Sequence, residues 1–227
     1  MKLKSNLKVF VGIPWLKNND RYSEYLPSCL KHLKEQECPV KIDRIFKTTP
    51  TSTITEPGTK RLHKALTDKL NEIVDAFMRT DCSHLWIIDS DVEVPKNALC
   101  SLIYLNVDIA SGLYSFHNER RTMMAGPIPE GLYTSFKPQD IGYIRGKILG
   151  KDGFVGAGNG CMLIKRRVFE RQHKSYAGLR FRTDGTKGSD VQFWYDAQAA
   201  GFTARINCNI ICGHLPQFPL SEINDFE

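Results

Sequence analysis

His84-Leu85-Trp86-Ile87-Ile88-Asp89-Ser90-Asp91 is the stretch on which the fold turns. The run from His84 to Ile88 has the length of a strand and shows no alternation of apolar and polar positions, and it stops abruptly at two acids. Unbroken apolar character is what a strand needs when helices cover both faces of its sheet. The stretch therefore predicts a central buried strand with Asp89 and Asp91 at its carboxyl end.

The neighbouring segments fit that reading. Lys8-Val-Phe-Val-Gly-Ile-Pro14 reads as a second buried strand closed by Gly and Pro. A helix is predicted over Tyr22 to Lys34 and a strand over Val40 to Phe46, followed by the polar, turn-rich Thr48 to Gly58. From Thr59 to Arg79, Leu62, Leu66, Leu70, Ile73, Val74 and Phe77 recur with a helical period, so one face packs and the other is solvated. A helix near Pro95 to Leu105 and a strand over Val107 to Tyr114 follow. Strands alternating with helices imply βα units, and hence an α/β fold with a doubly wound, mostly parallel sheet. Residues 116–153, rich in Gly, Pro and Arg, read as a loop-rich excursion. A strand at Cys161 to Lys165, a helix from Asp190 to Ala200 and a strand at Arg205 to Ile211 complete the pattern.

Size and charge narrow the function classes. The 227 residues, 41% hydrophobic, suit one domain with a sizeable core. The excess of 31 Lys+Arg over 25 Asp+Glu gives +6 spread along the chain, which suits a phosphate-bearing ligand. No stripe of basic residues interleaved with aromatics marks a nucleic-acid surface. The seven cysteines are an odd count without close CxxC spacing, which argues against a disulfide framework or a structural zinc site and for a reducing compartment. Cys208 and Cys212 read as small buried hydrophobes. The apolar run Val9 to Ile13 is too short for a signal peptide or membrane span, so the expected location is cytoplasmic with any membrane contact peripheral.

Ligands of open α/β sheets bind outside the carboxyl ends of the strands. Asp89 and Asp91 are expected there, and two hard oxygen ligands suit Mg²⁺ or Mn²⁺ shared with substrate phosphates. The competing reading is a strand end that is acidic for solubility. Gly156-Ala-Gly-Asn-Gly160 would let backbone approach a ligand closely. It is not a P-loop, because the required Lys-Ser/Thr is missing and a strand follows. Nor does Val-Gly-Ile-Pro14 supply a dinucleotide fingerprint.

The order of these features resembles the GT-A glycosyltransferases, in particular the family 2-like group. The resemblance runs over residues 8–216, through Val-Gly-Ile-Pro14, Leu-Trp-Ile-Ile-Asp-Ser-Asp-Val-Glu-Val-Pro95, Asp108-Ile-Ala-Ser-Gly-Leu-Tyr114, Gly158-Asn-Gly-Cys-Met-Leu-Ile-Lys165, Gly188-Ser-Asp-Val-Gln-Phe193 and Cys212-Gly-His-Leu215. It implies a single domain whose residues 1–115 bind a nucleotide diphosphate sugar and whose residues 116–227 bind an unknown glycan, lipid or protein acceptor. Asp91 would ligate the metal, Asp89 the metal or the donor ribose, and His214 would complete the metal site. Lys60 and Arg61 would approach the diphosphate, where cations and a helix N-terminus both favour an anion. Pro14, Ser90, Tyr114, Gly158 and Asn159 would line the donor. Asp190 would be the general base of an inverting transfer; the competing reading of Ser189 and Asp190 is N-capping. The family usually has Glu-Asp where this chain has Ser189-Asp190, which removes an acid that often helps bind acceptor. Asp184, Trp15 and Trp194 are secondary candidates for lining the sugar site. Two rivals stay open: a non-catalytic binder of nucleotide sugar or glycan, and a sugar nucleotidyltransferase, although Val-Gly-Ile-Pro-Trp15 lacks the long glycine- and arginine-containing loop of the latter.

Overall fold

The computed structural model describes residues 7–15, 21–48, 60–115, 122–170, 178–183 and 188–215, with backbone alone for 21–24 and 60–62. In chain order its strands are β1 (Lys8–Ile13), β2 (Lys41–Lys47), β3 (His84–Ile87), β4 (Val92–Glu93), β5 (Ile109–Leu113), β6 (Ala125–Pro127), β7 (Ile148–Leu149), β8 (Val155–Ala157), β9 (Met162–Lys165), β10 (Ala204–Ile211) and β11 (Gly213–His214). The helices are α1 (Arg21–Lys34), α2 (Lys60–Met78), α3 (Ala98–Tyr104), α4 (Ile141–Ile144), α5 (Arg167–Glu170) and α6 (Ser189–Ala199). None of the described helices is long and apolar enough to cross a membrane.

One sheet, in the order β2-β1-β3-β9-β5-β10-β7, organises the molecule. β1 runs parallel to β2 and β3, and β5 runs parallel to β10. β9 lies between β3 and β5 and is antiparallel to both, with Trp86 opposite Leu163 and Ala110 opposite the same residue. β7 closes the far edge, antiparallel to β10. Five of the seven strands thus run the same way, but three of the six pairings are parallel and three antiparallel, so the sheet is mixed. The apolar run of β9 announces a buried strand without its direction, because burial on both faces reads the same whichever way the chain runs.

Alternation along β1 shows why both faces need cover. Val9, Val11 and Ile13 join the core that includes Leu33, Leu99 and Leu102, while Phe10 joins Leu70, Ile73, Val74 and Phe77 of α2 on the other face. A Cβ at Gly12 would fall onto the Ile73 side chain, so the missing side chain lets α2 pack directly on β1. The predicted loop-rich excursion contains more order than its composition suggests: β6 pairs with β8, and β7 joins the main sheet. Strands of two or three residues are too short to produce a periodic signal.

Asp108 ties the starts of β5 and β10 together. Its fully buried carboxylate accepts from Arg167 through Nε and through Nη2 at 2.7 Å, and from the Thr203 amide and hydroxyl, each at 2.9 Å. Burial by itself would raise its pKa; the hydrogen bonds from Arg167 and Thr203 outweigh that and hold it below the usual carboxylate range. A carboxyl whose folded pKa is depressed contributes stability above its unfolded value, near 4, and loses it as pH falls through the folded value. Asp108→Asn is therefore expected to lower stability at neutral pH and to flatten the acid limb below about pH 4, as read by urea unfolding across pH 2.5 to 7. An unchanged acid limb would show that Asp108 titrates alike in both states.

Candidate active site at the carboxyl edge of the sheet

Ile88 follows β3 and donates its amide to the Gly12 carbonyl at 3.1 Å, so the central strand delivers Asp89 directly to the carboxyl edge. The chain then turns, with the Val92 amide donating to the Asp89 carbonyl at 3.1 Å, and continues as β4. β11 pairs antiparallel with β4, setting His214 opposite Val92, and the Leu215 amide donates to the Asp91 carbonyl at 2.9 Å. These backbone bonds bring two acids and a histidine from distant parts of the chain to one point. Helix α1 braces the turn from behind, with the Cys29 thiol 3.6 Å from the Asp89 carbonyl and the Ser28 hydroxyl donating to Glu93.

The electrostatics at this point call for a cation. Burial, and next the Asp91 carboxylate, push Asp89 up to about 7. His214 places Nε2 3.5 Å from Asp91 Oδ2, while its Nδ1 lies 2.5 Å from the Ser115 carbonyl. A carbonyl only accepts, so Nδ1 carries a proton; Nε2 faces the Asp91 carboxylate, to which it donates when protonated, and carries a lone pair only when that proton leaves. Burial disfavours the imidazolium, but Asp91, Ser115 and Asp89 outweigh it and raise the His214 pKa. Two carboxylates and an imidazole whose other ring nitrogen is held by a carbonyl are the ligand types a divalent ion takes, although their donor atoms do not all lie within 4.8 Å of one another in this structure.

Among the described residues, the group with three candidate donor atoms within 4.8 Å of one another is a different one, Asp43, Asp81 and Cys82. Cys82 precedes β3 and Asp89 follows it, so this group lies at the opposite edge of the sheet. Lys8 reaches Asp81 at 2.6 Å and Lys41 reaches Asp43 at 3.1 Å. These lysines supply the counter-charge there, and the group has no part in the site.

Tyr114 forms the floor. It is buried, packs edge-on to His214 with ring centroids 5.2 Å apart, and its hydroxyl accepts the Gly160 amide at 2.8 Å. A Cβ at Gly158 would fall on that hydroxyl, and one at Gly160 would lie 2.6 Å from the ring, so both glycines let the loop lie flat on Tyr114. Between them Asn159 is buried with its Oδ1 unpartnered. Tyr114→Phe would leave the buried Gly160 amide unsatisfied, a loss of about 1–3 kcal/mol, to be measured by denaturant unfolding; no loss would mean that the loop rests on the ring alone.

Asp190 stands on the first turn of α6, whose N-cap is Gly188. Neither Ser189 nor Asp190 caps the helix: Ser189 Oγ is buried without a partner, and Asp190 Oδ1 accepts the amide of the next residue, Val191, at 2.8 Å. The carboxyl folds over Gly188, where a Cβ would collide with it. Burial raises the Asp190 pKa, and its charge is felt by Asp89, Tyr114 and Tyr133. The acid therefore lies near enough to the Asp89 turn to act on it electrostatically.

The remaining candidates divide. Pro14 and Ser90 are buried at the carboxyl edge, beside β1 and within the acidic turn. Trp15 is half-buried, its amide donating to Thr48 Oγ1 at 2.8 Å and its ring 5.8 Å from the Lys47 ammonium. Trp194 is fully buried in the core and packs there rather than lining a site, because it falls on the sheet-facing side of α6. Lys60 and Arg61 open α2 at this edge, but their side chains, like Asp184, lie outside the described residues. Sequence patterns did not single out Glu93, Cys29 or the Ser115 carbonyl. Only Glu93 had a visible signal, the third acid at two-residue spacing after Asp89 and Asp91.

Neither a protein-family model nor a curated protein matches the sequence. Solved structures do match its shape. The A197 protein of STIV is 13% identical with a TM-score of 0.56, over 93% of this chain and 87% of that one. S. aureus TarS is 11% identical with a TM-score of 0.51, over 92% of this chain but 36% of TarS, and its 1–349 segment gives 13%, 0.51 and 60% of that chain. At such identities the likeness shows the fold alone. That fold is the GT-A glycosyltransferase fold.

Proposed function

We propose that this protein is a metal-dependent glycosyltransferase that moves a sugar from a nucleotide diphosphate donor to an acceptor with inversion. The observation that carries the reading is the convergence of Asp89, Asp91 and His214 at the carboxyl edge of the sheet, with Asp190 near by on the first turn of α6. In the transfer, the acceptor hydroxyl oxygen bonds to the anomeric carbon as the bond from that carbon to the diphosphate oxygen breaks. The nucleoside diphosphate leaves with the electron pair, and the hydroxyl proton passes to an Asp190 oxygen. Asp89, Asp91 and His214 would hold Mn²⁺ or Mg²⁺, which when bound supplies charge neutralisation for the departing diphosphate. The flat Gly158-Asn159-Gly160 loop offers the buried Asn159 amide oxygen to a donor hydroxyl.

A donor-hydrolysis screen with UDP-, GDP- and dTDP-sugars, each with Mn²⁺ and with EDTA, tests the reading. Slow metal-dependent release of nucleoside diphosphate from one donor is expected. Metal-dependent binding of a donor with no hydrolysis, and no transfer to any acceptor supplied, would favour a pure binder instead.

A further inference from the structure

Strand β2 ends the main sheet, and no described strand lies beyond it. An edge of this kind points half of its backbone N–H and C=O groups outward, where a further chain can pair with them. Its register against β1 shifts at Asp43: Val9 sits opposite Ile42, but Phe10 sits opposite Arg44 and Val11 opposite Ile45. Val9 and Val11 share one face of β1, so the extra residue brings Ile42 and Ile45, three apart in sequence, onto that same face of β2. Lys41, Arg44 and Phe46 fall on the other face, where Phe46 packs against Phe10 with ring centroids 6.0 Å apart. Between the end of α1 and the two isoleucines lies a cavity of about 540 Å³ whose apolar lining is Leu33, Val40, Ile42, Ile45 and Leu99. Ile45 stays 38% exposed, so apolar surface that a partner could cover is left in water.

We propose that this edge docks an acidic, extended peptide segment of a partner protein, which adds to β2 as an eighth strand and seats its apolar side chains in the cavity. The charges around the edge select that occupant. Lys34 and Arg44 line the cavity, and Lys41 and Lys47 stand exposed at the two ends of β2. The single acid of the strand, Asp43, is met by Lys41 at 3.1 Å. A second copy of this chain is a poor occupant, because antiparallel pairing of β2 with β2 about Arg44 sets Arg44 against Arg44 and each Lys41 against a Lys47. Like charges directly opposite one another repel. A strand that alternates apolar and acidic residues meets both faces at once, its apolar side chains entering the cavity and its carboxylates reaching Lys41 and Arg44. Main-chain pairing supplies affinity in such a mode, and the alternate side chains supply specificity. β2 contributes no residue to the corner of Asp89, Asp91 and His214, so the docking is independent of the transfer reading.

Titration of the isotope-labelled protein with an alternating Glu-Val octapeptide, followed by NMR, tests the site. Amide shifts are expected to move along β2 and at the parts of α1 and α3 that line the cavity, and to move little with an alternating Lys-Val octapeptide. Ile45→Glu is expected to weaken the Glu-Val peptide by at least about tenfold, the worth of one buried isoleucine side chain, with the melting temperature near wild type. Should Ile45→Glu fail to fold, Arg44→Glu, which reverses an exposed charge, is expected to weaken it likewise. Two further peptides, N-methylated on every Val or on every Glu, test the main-chain ladder, and one of the two is expected to lose binding. Absence of binding, equal shifts with the acidic and basic peptides, shifts away from β2, or full binding by both methylated peptides would each overturn the proposal. So would a dimer of the free protein in analytical ultracentrifugation that Ile45→Glu dissociates, which would give the edge to a second copy.

Discussion

Asp91→Ala is expected to abolish metal-linked nucleotide binding while the fold persists. What anchors this turn is backbone: the Leu215 amide donates to the Asp91 carbonyl, and β11 pairs with β4, and neither bond involves the carboxylate. Truncation relieves repulsion against Asp89 and removes the His214 contact, two opposing effects that leave the metal-free melting temperature within a few degrees of wild type. The loss of binding is of another order. Partners that merely orient a metal ligand are worth 10–100-fold in affinity, so losing a carboxylate ligand should cost more than about 100-fold. Calorimetric titration of a nucleoside diphosphate with millimolar Mn²⁺ and with EDTA measures it. Equal affinities in the wild type would remove the metal site; a collapse of melting temperature in the metal-free variant would make Asp91 a structural acid.

Asp190→Asn is expected to lower turnover by roughly two to four orders of magnitude, the range for loss of a general base, with donor affinity nearly unchanged. The isosteric amide keeps an oxygen for the Val191 amide and fits over Gly188, so the first turn of α6 should survive. What it loses is the capacity to take a proton. Retention of more than about a tenth of wild-type turnover on a true acceptor, far above that range, would assign the base elsewhere. The anomeric configuration of the product, read by NMR, tests inversion separately.

The outline of the fold was legible because its strongest elements are periodic or continuous. The stripe of α2 and the apolar run into Asp89 are each visible from residue types alone, and both lie where they were expected, over Lys60–Met78 and His84–Ile87. The direction of β9 and the pairing of β6 with β8 were not legible, since they depend on partners brought in by the rest of the sheet. At the site the same division holds. Asp89 and Asp91 announce themselves by spacing and Asp190 by its place before a helix, whereas the Ser115 carbonyl that holds the His214 ring carries no sequence signal. The idea that Ser189 or Asp190 caps the helix fails for a local reason: Gly188 takes the cap position, and the Asp190 carboxylate turns to Val191 instead.

The pairing of β11 with β4 has a consequence for the time at which the protein becomes competent. Asp89 and Asp91 emerge well before the chain is half made, but their histidine partner belongs to the last described strand, after β10 has joined the sheet. Contacts of such wide sequence separation form late, because loop closure must precede them. A nascent chain or a fragment ending before β11 therefore displays the acids without their imidazole. On the proposed reading, the corner that would hold the ion is assembled only once β11 has been made, so a nascent chain that stops short of it lacks a functioning centre.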